Sequence, residues 1–536
     1  MMNYPLLIKS MLDRNNLLFS KKEVVSREAD GIFRYTYREF QARVRRLANV
    51  LKKLGVEKGD RVATLAWNNH RHLELYFAVP CLGAVLHTVN LRLFPEQLVY
   101  VLNHAEDKVI FIDEDLVPLV DKLKDRIKTI RHFIVMTPRD TLPETSLSPV
   151  YSYEALLSEA PDGFEFDGNM DENTPAGMCY TTATTGNPKG VVYTHRSIFL
   201  HSMSECLADT LGLSERDVLL PVVPMFHVNA WGLPFSAVWM GTKLVLPGRY
   251  LDPKSLCELL EAEKVTTTAG VPTIWMGIFQ LLESGARYDL KSLRAMVNGG
   301  SAIPRALIEG FEKKYGIRVV HAYGMTETSP LVLCSEIKSY MSGYPYERQM
   351  DFRAKQGTLV PGLEMKVIGA GGQEVKRDGT EMGELLLRGP WIAGAYFKEP
   401  ERSAEAVKDG WLHTGDIVTI DEEGYVQIMD RAKDLVKSGG EWISSVDLEN
   451  TIMAHPAVAE AAVIAVPDEK WQERPLACVV LKPDCKDKVS AGEIAEFLKN
   501  RVARWWIPER IEFVDEIPKT SVGKFNKRVL RERYWK

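Results

Sequence analysis

A chain of 536 residues is too long for one compact core, so at least two domains are expected, with enough material to bury an active site between them. Its 45% hydrophobic and 26% charged residues are those of an ordinary globular protein, and a net charge of −5 offers no concentrated basic surface of the kind nucleic acid demands. Seven cysteines, odd in number and without a C-x-x-C pair, speak against a disulfide framework or structural zinc and fit a reducing cytoplasm.

The opening stretch MMNYPLLIKSMLDRNN carries charge within its apolar patch and lacks a small-residue cleavage site, so no signal peptide is expected. No apolar run approaches the ~20 residues that span a bilayer. From about residue 60, short apolar runs alternate with helical patterns. DRVATLA (60–66), KVIFID (108–113) and HFIVM (132–136) predict strands, with a helix over EQLVYVLNH (96–104), and SLSPVYS near 146–152 predicts a loop. After residue 175 the rhythm resumes: DVLLPVVPMF, TKLVLPG, VTTTAGVP, LRAMVNGG and RVVHAYG predict strands, while SLCELLEAEK and ALIEGFEKKYG predict helices. Such alternation implies an α/β fold with doubly wound parallel sheets covered on both faces.

Between about 355 and 430 the pattern changes to short strands (LEMKVIG, GELLLRG, GYVQIMD) between glycine-rich turns, predicting a small β-rich subdomain. The last stretch predicts a compact α+β unit in which Ser490 to Glu493 forms a capping box before a helix with Ile494, Phe497, Leu498 and Val502 on one face. The expected division is 1–354 for the α/β subdomains, 355–430 for the β-rich subdomain, 431–434 for a hinge and 435–536 for a mobile C-terminal lid.

The chemistry concentrates in a few stretches. YTTATTGNPKG (180–190) lies between an apolar run and a short strand that leads into a helix. A loop there can aim backbone N–H groups, hydroxyls and one ammonium at a polyanion. It is not a Walker A loop, because Lys189 is followed by Gly190 and the first glycine is missing. The same residues also suit a threonine-rich turn that merely connects two elements. Asn298-Gly-Gly-Ser301-Ala302 and His321-Ala-Tyr323-Gly324-Met325-Thr326-Glu327 end two predicted strands, where open α/β sheets bind ligands. Then follow GWLHTGD (410–416), DRAKDLVKSGGEW (430–442) and PKTSVGK (518–524).

With these stretches in order, the chain resembles the adenylate-forming superfamily of acyl-CoA synthetases, adenylation domains and luciferases over nearly its whole length. PMFHVNAW (224–231) and SGGEWI (438–443) make it most like the AMP-forming medium- and long-chain fatty acyl-CoA synthetases. The chain stops soon after Lys524, as expected of a free-standing ligase without a carrier-protein domain. The resemblance implies ATP, Mg²⁺ and CoA, and two steps: a carboxylate attacks the α-phosphate of ATP, then a CoA thiolate displaces AMP from the acyl-adenylate.

It also implies roles for residues. Thr181, Thr182, Thr184, Thr185, Gly186 and Lys189 would hold the β- and γ-phosphates, and Thr326 the α-phosphate. Glu327, with Thr184, would hold Mg²⁺, since a hard cation bridging phosphates favours oxygen ligands. Gly300, Ser301, Ala302 and Tyr323, flanked by Gly324 and Met325, would enclose adenine, while Asp416 and Arg431 would bind the ribose. Lys524 would bridge the substrate carboxylate and α-phosphate; outside this motif order it would be a solvated charge, and the rest of the basic tail (Lys527, Arg528, Arg531, Arg533, Lys536) is expected to be solvated surface.

Lys433 would be the hinge of domain alternation, Lys437 a contact to nucleotide phosphate, and Gly439, Gly440 and Trp442 the CoA channel. His227, Val228, Trp231 and Val271 would line the acyl pocket, although a buried His or Trp, like Trp239 and Trp275, is more often plain core. Two other readings remain: an adenylate-forming enzyme with a luciferase-like oxidation as its second step, and a silent acyl- or nucleotide-binding relative. Nothing in the residues requires nucleic acid; contact with a membrane surface and pairing with a second copy are left open.

Where the family's phosphate loop has glycine, this chain has Ala183. A residue with Cβ forced into the left-handed region costs ~1–2 kcal/mol, whereas a negative φ with Cβ turned from the phosphates is harmless. Ala183→Gly is expected to raise ATP-dependent adenylation several-fold, measured as pyrophosphate release; equal rates would show that the methyl group is tolerated.

Overall fold

The computed structural model describes every residue except 140, 182–186, 433, 439–440, 487, 500, 520–524 and 536, and the backbone alone at 441–442. Two sheets carry the large unit. In the first, nine strands run in the order Thr358–Leu359, Leu331–Cys334, Val319–Gly324, Ala295–Asn298, Thr267–Gly270, Val218–Pro221, Lys243–Leu246, Glu23–Glu28 and Gly31–Thr36. The run from Val319–Gly324 to Glu23–Glu28 is parallel, and antiparallel strands close both edges. The second sheet has seven strands, parallel except for the pair Pro175–Tyr180 and Gly190–Thr194.

The predicted strands lie where the apolar runs put them, each within a residue or so of Arg61–Leu65, Asp107–Asp113 and His132–Met136. Two features differ. Val150–Ser152, expected as loop, pairs in parallel with His132–Met136 as an edge strand. The first 36 residues, which offered no pattern, supply a helix (Ile8–Leu18) and the edge hairpin Glu23–Glu28 with Gly31–Thr36.

The β-rich segment folds as an antiparallel sheet of Glu364–Ile368, Gly383–Arg388, Trp411–Ile420, Val407–Lys408 and Val426–Arg431. Its apolar residues Leu385, Leu387, Val418 and Val426 join the same core as Val297, Ala322 and Leu333, so it is built onto the large unit rather than tethered to it. From Val436 onward the buried residues form two cores of their own around the long hairpin Val458–Asp468 and Gln472–Leu481. The capping box at Ser490 forms as predicted, with Ile494 and Leu498 buried beneath it.

The attachment of this C-terminal unit overturns one expectation. Lys527, the first residue of the last helix (Lys527–Tyr534), is not solvated: its ammonium lies 2.7 Å from the Glu449 carboxylate and also donates to Ser445, with 12% of its side chain exposed. Ser445 in turn donates to Asp430, which is 2% exposed on the last strand of the small sheet. Arg531 pairs with Asp434. Burial raises the carboxyls of Asp430 and Glu449, the latter to about 7, and Lys527 opposes it. Burial alone would lower the Lys527 ammonium, but Glu449, Asp430 and Asp434 raise it on balance. Among the tail residues, Arg533 is exposed as predicted.

Removing the cation from such a cluster leaves uncompensated buried charge. Lys527→Met is expected to lower stability by about 3–5 kcal/mol in denaturant unfolding; a variant as stable as the parent would contradict this placement.

Candidate active site

A cavity of about 430 Å³ opens beyond the carboxyl ends of Ala295–Asn298 and Val319–Gly324, between them, the small sheet and the C-terminal unit. Open parallel sheets offer their ligand sites at this edge. Its wall gathers most of the described residues singled out from sequence, in two groups.

The first group is polar. Tyr323 leaves the strand end with its hydroxyl donating to Asp416 Oδ2 at 2.5 Å, and Arg431 Nε reaches Asp416 Oδ1 at 3.0 Å. Asp416 and Arg431 are cross-strand partners on the small sheet, which sets their spacing. Asp416 is 3% exposed and its carboxylate, with four lone-pair directions, keeps capacity for further donors. Its charge holds the Arg431 guanidinium protonated, and burial together with that same charge raises the Tyr323 phenol well above its ordinary value. Gly300, Ser301 and Ala302 form the adjoining wall; Gly300 has φ +80°, and Asn298 donates to Ser301 O at 3.1 Å to fix the turn. Gly324 and Met325 also line the cavity, and a Cβ at Gly324 would stand 2.1 Å from the Pro330 carbonyl, so only glycine fits there.

Thr326 and Glu327 follow, 7% and 6% exposed. Glu327 Oε1 accepts from the Tyr396 hydroxyl at 2.7 Å, and the Lys189 ammonium sits 4.0 Å from the centre of the same ring. Burial lowers the Lys189 pKa and Glu327 opposes it. Tyr396 thus sets an ammonium and a carboxylate side by side, a role its sequence context did not announce. The two legs of the threonine loop are tied together, since Thr181 N–H donates to Lys189 O at 2.9 Å and Lys189 N–H to Thr181 Oγ1 at 3.2 Å.

The second group surrounds the turn Val228–Trp231. Val228, Asn229, Ala230 and Trp231 have φ of +46°, +51°, +49° and +59°, so this short coil is left-handed. Each such residue costs ~1–2 kcal/mol, and the surrounding structure must impose it. Asn229 provides one anchor: its Oδ1 accepts from Thr88 Oγ1 at 3.1 Å and from Cys179 Sγ at 3.3 Å, all buried. Asn68 provides another, accepting from Met225 N–H at 2.7 Å and donating to the carbonyls of Pro221 and Val223 at 2.9 Å. The turn lays the Trp231 ring on Gly299, where a Cβ would stand 2.9 Å from it. His227, Val228 and Trp231 all line the cavity.

Other expected residues fall elsewhere. Val271 precedes the helix Pro272–Glu283 and is not in the cavity wall; Trp275 is fully buried core; Trp239 packs against Phe199, with ring centres 4.5 Å apart and the planes tilted by 50°. Lys437 is exposed on its strand, with its N–H donating to Glu473, away from the cavity. Thr182, Thr184, Thr185, Gly186, Lys433, Gly439, Gly440 and Lys524, with Ala183, lie outside the described residues, as does the Trp442 side chain. Sequence reasoning missed Glu205, Arg528 and Arg531 among the lining residues. No helix among the described residues is long and apolar enough to cross a membrane, and all seven cysteines are free.

Residues 12–397 match the family model of AMP-binding enzymes, and residues 447–524 match that of their C-terminal domain. The chain is 51% identical to a long-chain-fatty-acid–CoA ligase of Thermus thermophilus over all of its length and 96% of the relative's. It is 44% identical to a 3-methylmercaptopropionyl-CoA ligase of Ruegeria lacuscaerulensis, covering 100% and 98% of the two chains. The crystal structure of an anthranilate CoA ligase in complex with anthranoyl-AMP superposes with a TM-score of 0.89 at 26% identity, covering 99% and 98%. The chain therefore belongs to the AMP-binding enzymes and is an acid–CoA ligase, activating a carboxylic acid with ATP through an acyl-adenylate and passing the acyl group to CoA.

Proposed function

We propose that the acid is a fatty acid and that it meets ATP in the cavity described above. One observation carries this reading: the same continuous cavity is lined by the polar group of Tyr323, Thr326, Glu327, Asp416 and Arg431 and by the turn bearing His227, Val228 and Trp231. The first suits a nucleotide, and the second an acyl chain. The relatives named for long-chain fatty acids and for 3-methylmercaptopropionate support an aliphatic acid over an aromatic one.

In this reading adenine lies against Gly300, Ser301, Ala302 and the Tyr323 ring, and the ribose hydroxyls donate to the free lone pairs of Asp416 beside Arg431. Thr326 contacts the α-phosphate; Thr181, Thr182, Thr184, Thr185, Gly186 and Lys189 cradle the β- and γ-phosphates. A carboxylate oxygen attacks the α-phosphorus, the bond to the bridging oxygen breaks, and pyrophosphate departs with that electron pair. Lys524 bridges the two anions as they approach, easing their repulsion in a partly dry site. The CoA thiolate, arriving past Gly439, Gly440 and Trp442, then attacks the acyl carbon, and AMP leaves.

Among the described residues no cluster of three or more His, Cys, Asp or Glu side chains could hold a metal. Glu327 offers a buried carboxylate close to Lys189, with Thr184 outside the described residues, and this sparse set fits Mg²⁺, which binds through one or two carboxylates plus substrate phosphates. When bound it would neutralise charge on the phosphates. The large unit to residue 430 and the lid from 435 would reorient about 431–434, with Lys433 as the pivot.

The half-reactions separate the roles. Lys524→Ala is expected to slow acyl-adenylate formation from free acid by about 10²–10³, trapped as the hydroxamate, while thioester formation from preformed acyl-adenylate falls less than about tenfold. Equal losses in both would remove Lys524 from the first step. In the parent protein, hydroxamate without CoA thioester would point to a different second step, and neither product to a silent relative.

A further inference from the structure

The acyl side of the cavity contains a carboxyl that an apolar sleeve would not need. Glu205 ends the helix His195–Glu205, is 1% exposed and lines the same cavity as Leu211, Val228, Trp231 and Leu331. It lies beside the left-handed turn, for a Cβ at Gly232, the residue after Trp231, would stand 3.4 Å from Glu205 Oε2 and 2.7 Å from His201 Nδ1. Gly232 has φ +83°, and its bare Cα lets these two polar side chains, one helical turn apart, close on the end of the turn.

The partners of Glu205 define its chemistry. Ser236 donates to Oε2, and among the described residues no other side chain bonds the carboxyl. His201 is not a counter-cation, because its Nε2 accepts the Leu331 N–H at 3.0 Å and burial lowers its pKa to about 3, which leaves a neutral ring with its proton on Nδ1. Burial therefore holds the Glu205 carboxyl protonated far above the usual range, with only Ser236 opposing. A protonated carboxyl offers one donor and further acceptor capacity, of which Ser236 uses one acceptor. A carboxyl at this place is costly unless its remaining hydrogen-bonding capacity is met, whereas a leucine would need no partner.

We propose that Glu205 is a specificity-determining residue of the acyl pocket, selecting acids whose aliphatic chain carries an uncharged hydrogen-bonding group, above all a hydroxyl. A hydroxyl both donates and accepts, so it completes the carboxyl on one face. A second carboxylate brought beside Glu205 would add a buried charge next to the neutral His201 ring, and an ammonium there would require Glu205 to ionise. This assignment rests on the ligase reading and names the substrate class within it.

The test compares CoA thioester formation with octanoate and decanoate against their terminal and penultimate hydroxy and oxo derivatives. In an apolar pocket a hydroxyl reduces kcat/KM by up to about 100-fold. Here at least one hydroxy acid is expected to match or exceed its parent acid. Glu205→Leu should shift that ratio toward the plain acid by about 100-fold, and Glu205→Gln, which keeps a donor and an acceptor, should hold it within about tenfold of the parent protein. A ratio that moves less than threefold in Glu205→Leu, with both acids still turned over, would make Glu205 structural and overturn the proposal alone. No thioester from any acid in the parent protein would overturn the ligase reading and the proposal with it.

Discussion

The Asp416 carboxylate is the point on which three parts of the structure converge. Tyr323 reaches it from the large parallel sheet, and Arg431 from the neighbouring strand of the small sheet, at the residue where the chain leaves for the C-terminal unit. A carboxylate this buried is tolerated only because a cation and a phenol meet it. The same pairing orders the cavity wall, to which Tyr323, the Gly300 turn and Val446 and Glu449 of the C-terminal unit all contribute. One residue earlier, Asp430 binds Ser445 and so ties that unit to the same strand. Adjacent residues on one strand thus line the cavity and attach the C-terminal unit.

The other side of the cavity is shaped by strain. Four consecutive left-handed residues cannot persist on local preference, and Asn229 and Asn68 hold them through buried hydrogen bonds to elements far away in sequence. Trp231 can then lie against Gly299, while Gly232 opens room for Glu205 and His201. The geometry is consistent with catalysis by positioning: the residues that would contact substrate are held by groups that do not.

Much of the framework is legible in the residues because local pattern and tertiary role agree. Parallel strands buried on both faces read as short apolar runs, so those bearing Asn298 and Tyr323 lie where LRAMVNGG and RVVHAYG placed them. The hairpin at 23–36 is not legible in the sequence, because EVVSRE and the edge strand GIFRYT both mix charge with apolar residues. The basic tail read as solvent-facing, and Lys527 became a buried ion-pair partner only through folding against Glu449 and Asp430. Glu205 in HSMSECL carries no local signal, since nothing in the neighbouring residues indicates that its helix ends against the cavity. Val271 is the opposite case, an apolar residue near the strand ends that is not part of the cavity wall. Left-handed backbone at valine, alanine and tryptophan has no composition signal at all.

The central claim is that this chain joins a carboxylate oxygen directly to the α-phosphorus of ATP. Incubation with ATP, CoA and a fatty acid labelled with ¹⁸O in its carboxyl group, followed by mass analysis of the nucleotide product, tests that bond itself. The account predicts AMP carrying one ¹⁸O atom, with unlabelled pyrophosphate. Unlabelled AMP, or label in ADP or inorganic phosphate, would contradict it.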